Sequence, residues 1–555
     1  MSSKKYRKPE TKKPWKTDWQ ICSEYALHML VAAYVFLFLC IFPIFYDLGE
    51  HGKYFNMGNT KYAFFKWVSI VGLCLIMLVY EAYLLSYRRE KQAVVELHQV
   101  SAADYFLVVF LTVSLLSYIF SSFPEVALWG YRGWYMGLMS QFFFGGAFLF
   151  VSRYWKWSSY TLLGMVVSAA ICYQIGILQR FGFNPMGMYD RLGAEDIEKF
   201  LSTLGQTSWY SSYAVLVLPF GFYFYQITES LRARLLTGAF VALGFGMLCT
   251  TNSDSAYVAV TLILMVCFCY ALESNEKMRR FLEIVLIALG SFRVIGWMYA
   301  LFPERQRTYI TGEEKITKFI TGSPVMLVLL ILFLFLYAGF RIATAEARQK
   351  EGKTVFDISA HKAWIWKLTT TAAVLVIWGV LLLVILVTTG KLQIGDETSF
   401  FYFGESWGNH RGFNWRMAAR AISHASIKDL LIGVGPDCFD GAMDTYCAAE
   451  VAQYWDGLSL ACAHNEWLNM LVTEGVLGAV SYLGIFLAVF LRAAKRVTKE
   501  PVLMAFMGSI VAYLGHNIFC YQQCICTPVI FILMGITEMI NREADKAIGK
   551  EENAK

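Results

Sequence analysis

Two segments in the last third of the chain carry residue types suited to acid–base and phosphate chemistry. His464 begins the sequence HNEWL (464–468), directly before a long apolar run. A neutral imidazole accepts a proton near physiological pH, as a general base must. At helical spacing the imidazole shares a face with Leu468, Leu471 and Gly475, which predicts that it points into the protein. The alternative is an interfacial His–Asn pair that caps the helix.

An amphipathic helix is predicted upstream, from Gly412 to Leu431. Its apolar side consists of Trp415, Ala418, Ala419 and Ile422, and its basic side consists of Arg416, Arg420 and His424. Arg411 stands at the amino end, where backbone N–H groups and the helix dipole attract anions. Because guanidinium groups bind phosphate oxygens bidentately, a diphosphate at Arg411 would meet several donors at once. For Arg416 or Arg420 alone, a solvated charge or a lipid-headgroup contact is the alternative.

The segment between these two motifs contains a tight turn and three cysteines. Gly433–Asp437 reads GVGPD, with glycines where the backbone must bend sharply. Cys438, Cys447 and Cys462 share this loop, and whether two of them form a disulfide stays open. No metal site is expected. The combination of His516 with Cys520, Cys524 and Cys526 suits zinc in residue type, but a helix end rich in small polarizable residues explains it as well.

The high apolar content and the low charged content of the chain indicate that these motifs belong to a membrane protein. The 555 residues are 57% apolar and only 16% charged, with a mean hydropathy of +0.47. Soluble domains carry about 25% charged residues. This composition excludes a set of soluble domains, a disordered chain, a disulfide miniprotein and a soluble nucleic-acid binder. Nucleic acid is not expected as a partner despite the net charge of +6.

The hydrophobic pattern predicts an all-α, polytopic transmembrane bundle of about fourteen spans, because about 18 apolar residues cross the hydrocarbon layer as a helix. Arg293 interrupts the weakest run. The predicted spans are 26–46, 66–87, 102–121, 134–152, 158–178, 209–227, 232–250, 255–272, 281–300, 324–341, 369–389, 466–491, 503–519 and 523–541. The large loop between the eleventh and twelfth spans is predicted to be extracytoplasmic and to contain short amphipathic helices.

Charge placement predicts how the chain is oriented. The first residues are basic and lack the apolar core of a secretory signal. Because Lys and Arg are retained inside, an even number of spans predicts two cytoplasmic termini in the cell membrane. The predicted division is a cytoplasmic basic tail (1–25), a membrane bundle of about eleven spans (26–389), an extracytoplasmic catalytic loop (390–465), about three further spans (466–541) and a cytoplasmic tail (542–555).

The order of these motifs resembles the O-antigen ligase and O-antigen polymerase superfamily. The combination is far more specific than any one of its parts. The residues that carry the resemblance are Arg411 with Trp415, Gly433 to Phe439, His464 to Leu468, and Glu474 with Gly475 and Gly478. Weaker similarities are Gly130-Tyr131-Arg132-Gly133 and Ser202-Thr203-Leu204-Gly205-Gln206. The many-span layout is compatible with the family over most of the remaining chain.

The resemblance implies a glycosyltransferase of the outer membrane face that passes a glycan from a polyprenyl diphosphate carrier to a hydroxyl acceptor on a lipid, glycan or protein. By position, Arg411 would hold the diphosphate and His464 would deprotonate or orient the acceptor. Further substrate contacts are expected from Arg416, Arg420, Arg132, Asn465, Asp437 and Asp254. No cofactor is expected, and the lack of D-x-D or E-x-D in the predicted outer loops argues against a metal-dependent reaction.

One departure from the family pattern concerns the second phosphate-binding arginine. Where many members have Ser-Arg-Gly, this chain has Asn252-Ser253-Asp254-Ser255. Arg132, Arg416 and Arg305 are all possible substitutes, and the sequence does not choose among them. The competing function is a transporter or lipid-linked glycan flippase, which many spans suit equally. A transporter should show internal repeats and ionisable or broken-helix sites near mid-membrane. Here the polar residues are gathered instead in one outer loop and at the entrance of the next helix, and no matching halves are evident.

Overall fold

The computed structural model describes residues 16–47, 54–89, 100–193, 197, 200–251, 253–303, 315–345, 356–394 and 400–554. Asn252 and Arg305 lie outside the described residues. Within the described ranges the chain is all-α except for one antiparallel pair, β1 (Phe200–Leu201) and β2 (Gly205–Gln206), in which Leu201 is opposite Gly205.

In the described ranges before the large loop there are thirteen helices, and two 3-10 turns, Met188–Arg191 and Ser359–His361, lie between them. The helices are α1 (Asp18–Phe36, continued by a π-helical turn, Leu37–Ile41), α2 (Tyr54–Arg89), α3 (Ala102–Ile119), α4 (Pro124–Trp129), α5 (Leu138–Tyr154), α6 (Ser159–Arg180), α7 (Thr207–Ile227), α8 (Leu231–Thr251), α9 (Asp254–Ala271), α10 (Asn275–Leu301), α11 (Lys315–Gly322), α12 (Pro324–Ala343) and α13 (Lys362–Thr388).

Four short helices form what we call the cap, residues 400–465, and four more follow it. The cap helices are α14 (Trp407–His424), α15 (Ile427–Ile432), α16 (Phe439–Tyr446) and α17 (Ala448–Tyr454). The following helices are α18 (Glu466–Thr473), α19 (Gly475–Ala494), α20 (Leu503–His516) and α21 (Thr527–Ala554).

Ten of the described helices are long and apolar enough to cross a membrane, so the architecture is that of an all-α polytopic membrane protein. They are α1 to α3, α6, α8 to α10, α12, α13 and α19. The other four predicted spans coincide with α5, α7, α20 and α21, which are shorter or contain more polar residues. The count of fourteen spans stays a prediction.

Close packing within the bundle joins distant parts of the sequence. Helix α21 packs against α5, α20 against α9 and α7, and α19 against α3. At the end of α3 remote from the cap, Asp104 accepts hydrogen bonds from Arg153 at 3.0 Å and from Arg542. A buried charge is tolerated there because two guanidinium groups compensate it.

The predicted span 466–491 is wrong as a single helix. The chain breaks between α18 and α19, where Gly475 has φ +67°. A Cβ at Gly475 would lie 2.4 Å from the backbone carbon of Leu431, so the cap backbone packs directly against this glycine. Hydrogen bonds at the break come from α3: Ser117 donates to the Thr473 carbonyl at 3.0 Å, and Ser114 donates to the Glu474 carboxylate.

The predicted amphipathic helix from Gly412 to Leu431 is also two helices. Helix α14 ends at His424, and Ser426 starts α15 by accepting a hydrogen bond from the Asp429 N–H at 3.1 Å. The predicted apolar face is partly wrong, because Ala419 is exposed. The buried side of α14 faces a second apolar cluster, which includes Phe413, Met417, Ala418, Ala421, Phe439, Ala442 and Met443 of the cap together with Ala127 of α4 and Val472 of α18.

We expect Gly475→Ala to lower the thermal stability of the detergent-solubilised protein. A side chain would be forced into left-handed backbone and against the Leu431 backbone, which should cost about 1–3 kcal/mol. Unfolding followed by intrinsic fluorescence measures this. The control is Gly339→Ala in α12, where a Cβ meets nothing within 4 Å among the described residues. Equal melting temperatures for the two variants would contradict the proposed close contact.

Candidate functional site

Arg411 is held by backbone carbonyl oxygens at the point where the cap meets the membrane bundle. Its Nε donates to the Phe519 carbonyl at 3.1 Å, and its Nη1 donates to the Gly408 carbonyl at 2.5 Å. Burial lowers the pKa of Arg411, whereas negative charge, including that of Asp254, acts in the opposite direction. An arginine stays charged even when burial lowers its pKa, and no carboxylate is bonded directly to this one among the described residues.

Three left-handed residues fix where Arg411 begins its helix. Gly408, Asn409 and His410 have φ values of 60°, 58° and 65°, so the right-handed part of α14 starts at Arg411, as predicted. Left-handed backbone is costly for residues other than glycine, and such strain is common at ligand sites. The His410 Nδ1 lies 2.7 Å from the Tyr454 hydroxyl, which holds this turn against α17.

His464 lies just before α18, as predicted, but outside the helix. Its φ is +50°, and Asn465 is the N-cap residue. The argument from a shared helical face therefore does not apply to His464, because that face begins only at Glu466. The imidazole instead contacts the rings of Trp134 and Tyr521, with centroids 6.1 and 5.3 Å away. Within the described chain neither of its ring nitrogens has a hydrogen-bond partner.

The charge of Arg411 reaches the imidazole. Burial lowers the pKa of His464 to about 3, and the positive charge of Arg411 lowers it further in the same direction. A neutral imidazole and a charged guanidinium thus occupy one site. The two side chains are not hydrogen-bonded to each other, and the common role that the resemblance gives them stays a prediction.

Asp437 joins the cap to the segment that carries Trp134. Its Oδ2 accepts hydrogen bonds from the backbone N–H groups of Tyr131 and Met136, both at 2.8 Å. Burial raises the pKa of Asp437 to about 7, and the two N–H donors act against that rise. Since Trp134 lies between these donors and contacts His464, Asp437 is placed to position the wall of the site rather than the substrate.

Glu466 and Asn517 position the other wall, and the sequence analysis did not single out either as a site residue. The Glu466 N–H donates to the Asn517 carbonyl at 2.9 Å, and the Asn517 side chain donates to the Glu466 carboxylate. This pairing holds the segment that supplies Phe519 to Arg411 and Tyr521 to His464. Glu466 follows His464 by two residues, so the HNE triplet was the available signal.

The two arginines on the predicted basic side of the helix form ion pairs with carboxylates on the cap surface. Arg416 forms an ion pair with Glu405, and Arg420 forms one with Glu450 at 2.7 Å. Both side chains are about half exposed. Neither is brought against His464 by the described contacts, so Arg411 is the arginine that the fold places at the imidazole.

The remaining predicted residues have different surroundings. Arg132 is exposed in the segment held by Asp437. Asn465 uses its side-chain oxygen to accept the Leu468 N–H at 3.0 Å, which is the capping role considered as the alternative. Asp254 begins α9, and its charge interacts with that of Arg411.

In the described chain the cysteines of the large loop form no disulfide, and His516 lies beside serine hydroxyls. Cys438, Cys447 and Cys462 are buried free thiols, so the disulfide considered above is not formed. The His516 Nε2 lies 3.0 Å from the Ser211 hydroxyl and 3.1 Å from the Ser255 hydroxyl. No cluster of three or more His, Cys, Asp or Glu side chains suited to a metal ion occurs among the residues described.

A cavity of about 420 Å³ opens beside His464 and is bordered by Trp134 and by residues of the cap, among them Asn409, His410, Asn414 and Trp455. The fold and site thus define an all-α polytopic membrane protein with a cap that encloses a cleft next to a charged guanidinium and a neutral imidazole. No protein-family model matches the chain, and no curated protein matches it.

We expect Asp437→Asn to preserve the site and Asp437→Ala to disrupt it. Both backbone donors bind one oxygen, which the amide oxygen of asparagine replaces, and asparagine tolerates the left-handed φ of +59° at this position. Alanine would leave two buried N–H groups unpaired, at about 1–3 kcal/mol each. Thermal unfolding and proteolysis of the 130–137 segment measure the effect. Similar behaviour of the two variants would contradict the assigned role.

Proposed function

We propose that this protein is a membrane glycosyltransferase that moves a glycan from a polyprenyl diphosphate carrier to a hydroxyl acceptor at the cap. The observation that carries the proposal is that His464 lines a cavity bordered by the turn directly before Arg411, and that the charge of Arg411 acts on its imidazole. The motif resemblance described above and the polytopic architecture support it. The proposed site faces the exterior of the cell membrane, which follows from the predicted orientation with both termini cytoplasmic.

Arg411 supplies the anion-binding half of the proposed reaction. As the glycosidic bond to the carrier breaks, its electron pair moves to the diphosphate, and negative charge grows on the phosphate oxygens. A preorganised guanidinium at the amino end of a helix stabilises that charge. Because two carbonyl oxygens already fix the guanidinium, little reorganisation is needed when the diphosphate arrives.

His464 supplies the acceptor-binding half. The acceptor hydroxyl attacks the anomeric carbon, the new C–O bond forms as the C–O bond to the diphosphate breaks, and the hydroxyl proton must leave. A neutral imidazole with free ring nitrogens accepts a hydrogen bond from that hydroxyl and orients it. Attack opposite the departing diphosphate inverts the anomeric configuration.

Binding of the donor should also increase the basicity of His464. In the ligand-free protein its pKa of about 3 makes it a weak base, because burial and the Arg411 charge both oppose protonation. A diphosphate at Arg411 offsets that positive charge, so the second cause weakens once the donor is bound. The imidazole would therefore accept the proton most readily when both substrates are present.

Replacing either residue should nearly abolish transfer. We expect Arg411→Gln to lower kcat/KM by about 10²–10³-fold, because a preorganised charge is lost. His464→Asn, which tolerates left-handed backbone, should lower it by about 10²-fold or more. The assay measures transfer from an undecaprenyl-diphosphate-linked glycan in proteoliposomes, and product configuration is read by NMR.

The matched control is Arg420→Gln, which removes an exposed arginine from the same helix. It should retain transfer within a few-fold, because its ion pair with Glu450 lies on the cap surface. Transfer at wild-type levels by the Arg411 or His464 variant would remove that residue from the mechanism. A product of retained configuration would refute direct displacement.

The pH dependence provides an independent check. A histidine with a folded pKa of about 3 stays neutral down to acid pH, so kcat/KM should show no histidine limb between about pH 5 and 8. In Arg411→Gln the pKa of His464 should rise, because one of the two causes that lower it is removed. Histidine-selective NMR titration, assigned with His464→Asn, measures both. A wild-type midpoint near the ordinary histidine value would contradict this electrostatic coupling.

A further inference from the structure

The cavity beside His464 has the lining of a binding site for an uncharged polar molecule. Its volume of about 420 Å³ falls within the ~300–1,000 Å³ of small-molecule sites. Trp134 and Trp455 contribute aromatic faces, and Asn409, Asn414 and Ser459 contribute neutral hydrogen-bonding groups. Within the described residues no Asp, Glu, Lys or Arg lines it.

Asn414 carries a buried hydrogen-bond acceptor that nothing in the described chain satisfies. Its side chain is only 2% exposed, it lines the cavity, and its Oδ1 has no partner. Leaving such a group unpaired costs about 1–3 kcal/mol, so it points to a missing donor. The fold keeps Asn414 on α14 three residues after Arg411, at the boundary between the second apolar cluster and the cavity.

Trp455 presents the complementary unsatisfied group. Its indole N–H is buried and unpaired within the described structure, and the residue lines the same cavity. The ring lies 5.0 Å from the His410 ring, centroid to centroid, beside the left-handed turn. A ligand that fills this space would meet the aromatic rings, and Asn414 and Trp455 place an unsatisfied acceptor and an unsatisfied donor at its border.

We propose that this cavity binds an uncharged sugar ring of the acceptor, with Asn414 and Trp455 as its specificity-determining residues. A sugar hydroxyl both donates and accepts hydrogen bonds, and the C–H face of a pyranose packs on aromatic rings. His464 lines the same cavity, so a hydroxyl of the bound ring lies next to the imidazole. This inference rests on the proposed function, because it treats the ligand as the acceptor substrate.

The neutral lining is what selects against charged sugars. A uronic acid would have to bury its carboxylate among groups that offer no positive charge, and desolvation of an unpaired charge is costly. Arg411 does not line the cavity and is assigned to the diphosphate. Uronates should therefore bind more weakly than neutral glycosides of the same stereochemistry whenever the diphosphate site is occupied.

The test measures binding of methyl glucoside, methyl galactoside and methyl mannoside to the full-length protein in nanodiscs by saturation-transfer NMR. Sugar-headed detergents must be avoided, because they would compete. Methylenediphosphonate is present to occupy Arg411, and methyl glucuronide and methyl galacturonide are the charged comparators. We expect at least one neutral glycoside to bind about tenfold or more tightly than its uronate. Equal or tighter uronate binding, or no saturable neutral binding, would overturn the proposal.

Two substitutions test the assigned residues. Asn414→Leu keeps the approximate size and removes the amide, and Trp455→Phe keeps an aromatic face and removes the N–H. Each should weaken binding of the preferred neutral glycoside by about 3–10-fold, as expected for one buried hydrogen bond. The matched control is Trp415→Phe, whose indole N–H is also buried and unpaired but which does not line the cavity. Unchanged affinity in both test variants would refute the assignment.

The outcomes separate this inference from the proposed function. If Asn414→Leu and Trp455→Phe bind sugar normally while His464→Asn abolishes transfer, the transferase stands and the sugar site is wrong. If sugar binding depends on Asn414 and Trp455 while the Arg411 and His464 variants transfer normally, the sugar site stands and the proposed catalytic roles are wrong. A rise in the acceptor KM with little change in kcat for Asn414→Leu supports both.

Discussion

The guanidinium of Arg411 is bonded to two backbone carbonyl oxygens rather than to a carboxylate, and the chemistry of the site depends on this. Carbonyl dipoles fix the position of the group but do not cancel its charge. The remaining field acts on the neighbouring imidazole and favours an anion in the adjacent space. Had a carboxylate been bonded there, the position would be equally well fixed, but the attraction for phosphate and the effect on His464 would be largely lost.

The site is assembled from segments that are far apart in the sequence. Asp437 orders the segment that carries Trp134, and the pairing of Glu466 with Asn517 orders the segment that carries Phe519 and Tyr521. Each wall is thus positioned by a buried carboxylate that accepts N–H donors. The apolar core of the cap also includes Ala127 of α4 and Val472 of α18, so the cap meets the bundle through apolar packing as well as through these polar contacts and the break at Gly475. The contacts that join the cap to the bundle are therefore also the contacts that position the residues around Arg411 and His464.

Much of this arrangement could be predicted from the sequence, because long apolar runs can satisfy their backbone groups in a membrane only as helices. The position of Arg411 at a helix start and of His464 before a helix followed from local patterns. The breaks were missed although signals existed: Ser426 and Asp429 have capping spacing, and Gly475 interrupts the apolar run. The Asp437 contacts span some three hundred residues, so no local pattern could reveal them. The apolar face of α14 was misassigned because spacing does not show which of two alanines faces a neighbour.

The left-handed turn before Arg411 has a consequence for how ligands would exchange. Gly408, Asn409 and His410 occupy a restricted left-handed conformation, so a molecule that docks against this edge meets backbone with few alternative conformations to lose. This edge of the site is preformed, and it differs in this from a loop that closes over a ligand. The residence time of a bound molecule would then be governed by the contacts it breaks on leaving, with no wait for a loop to reopen.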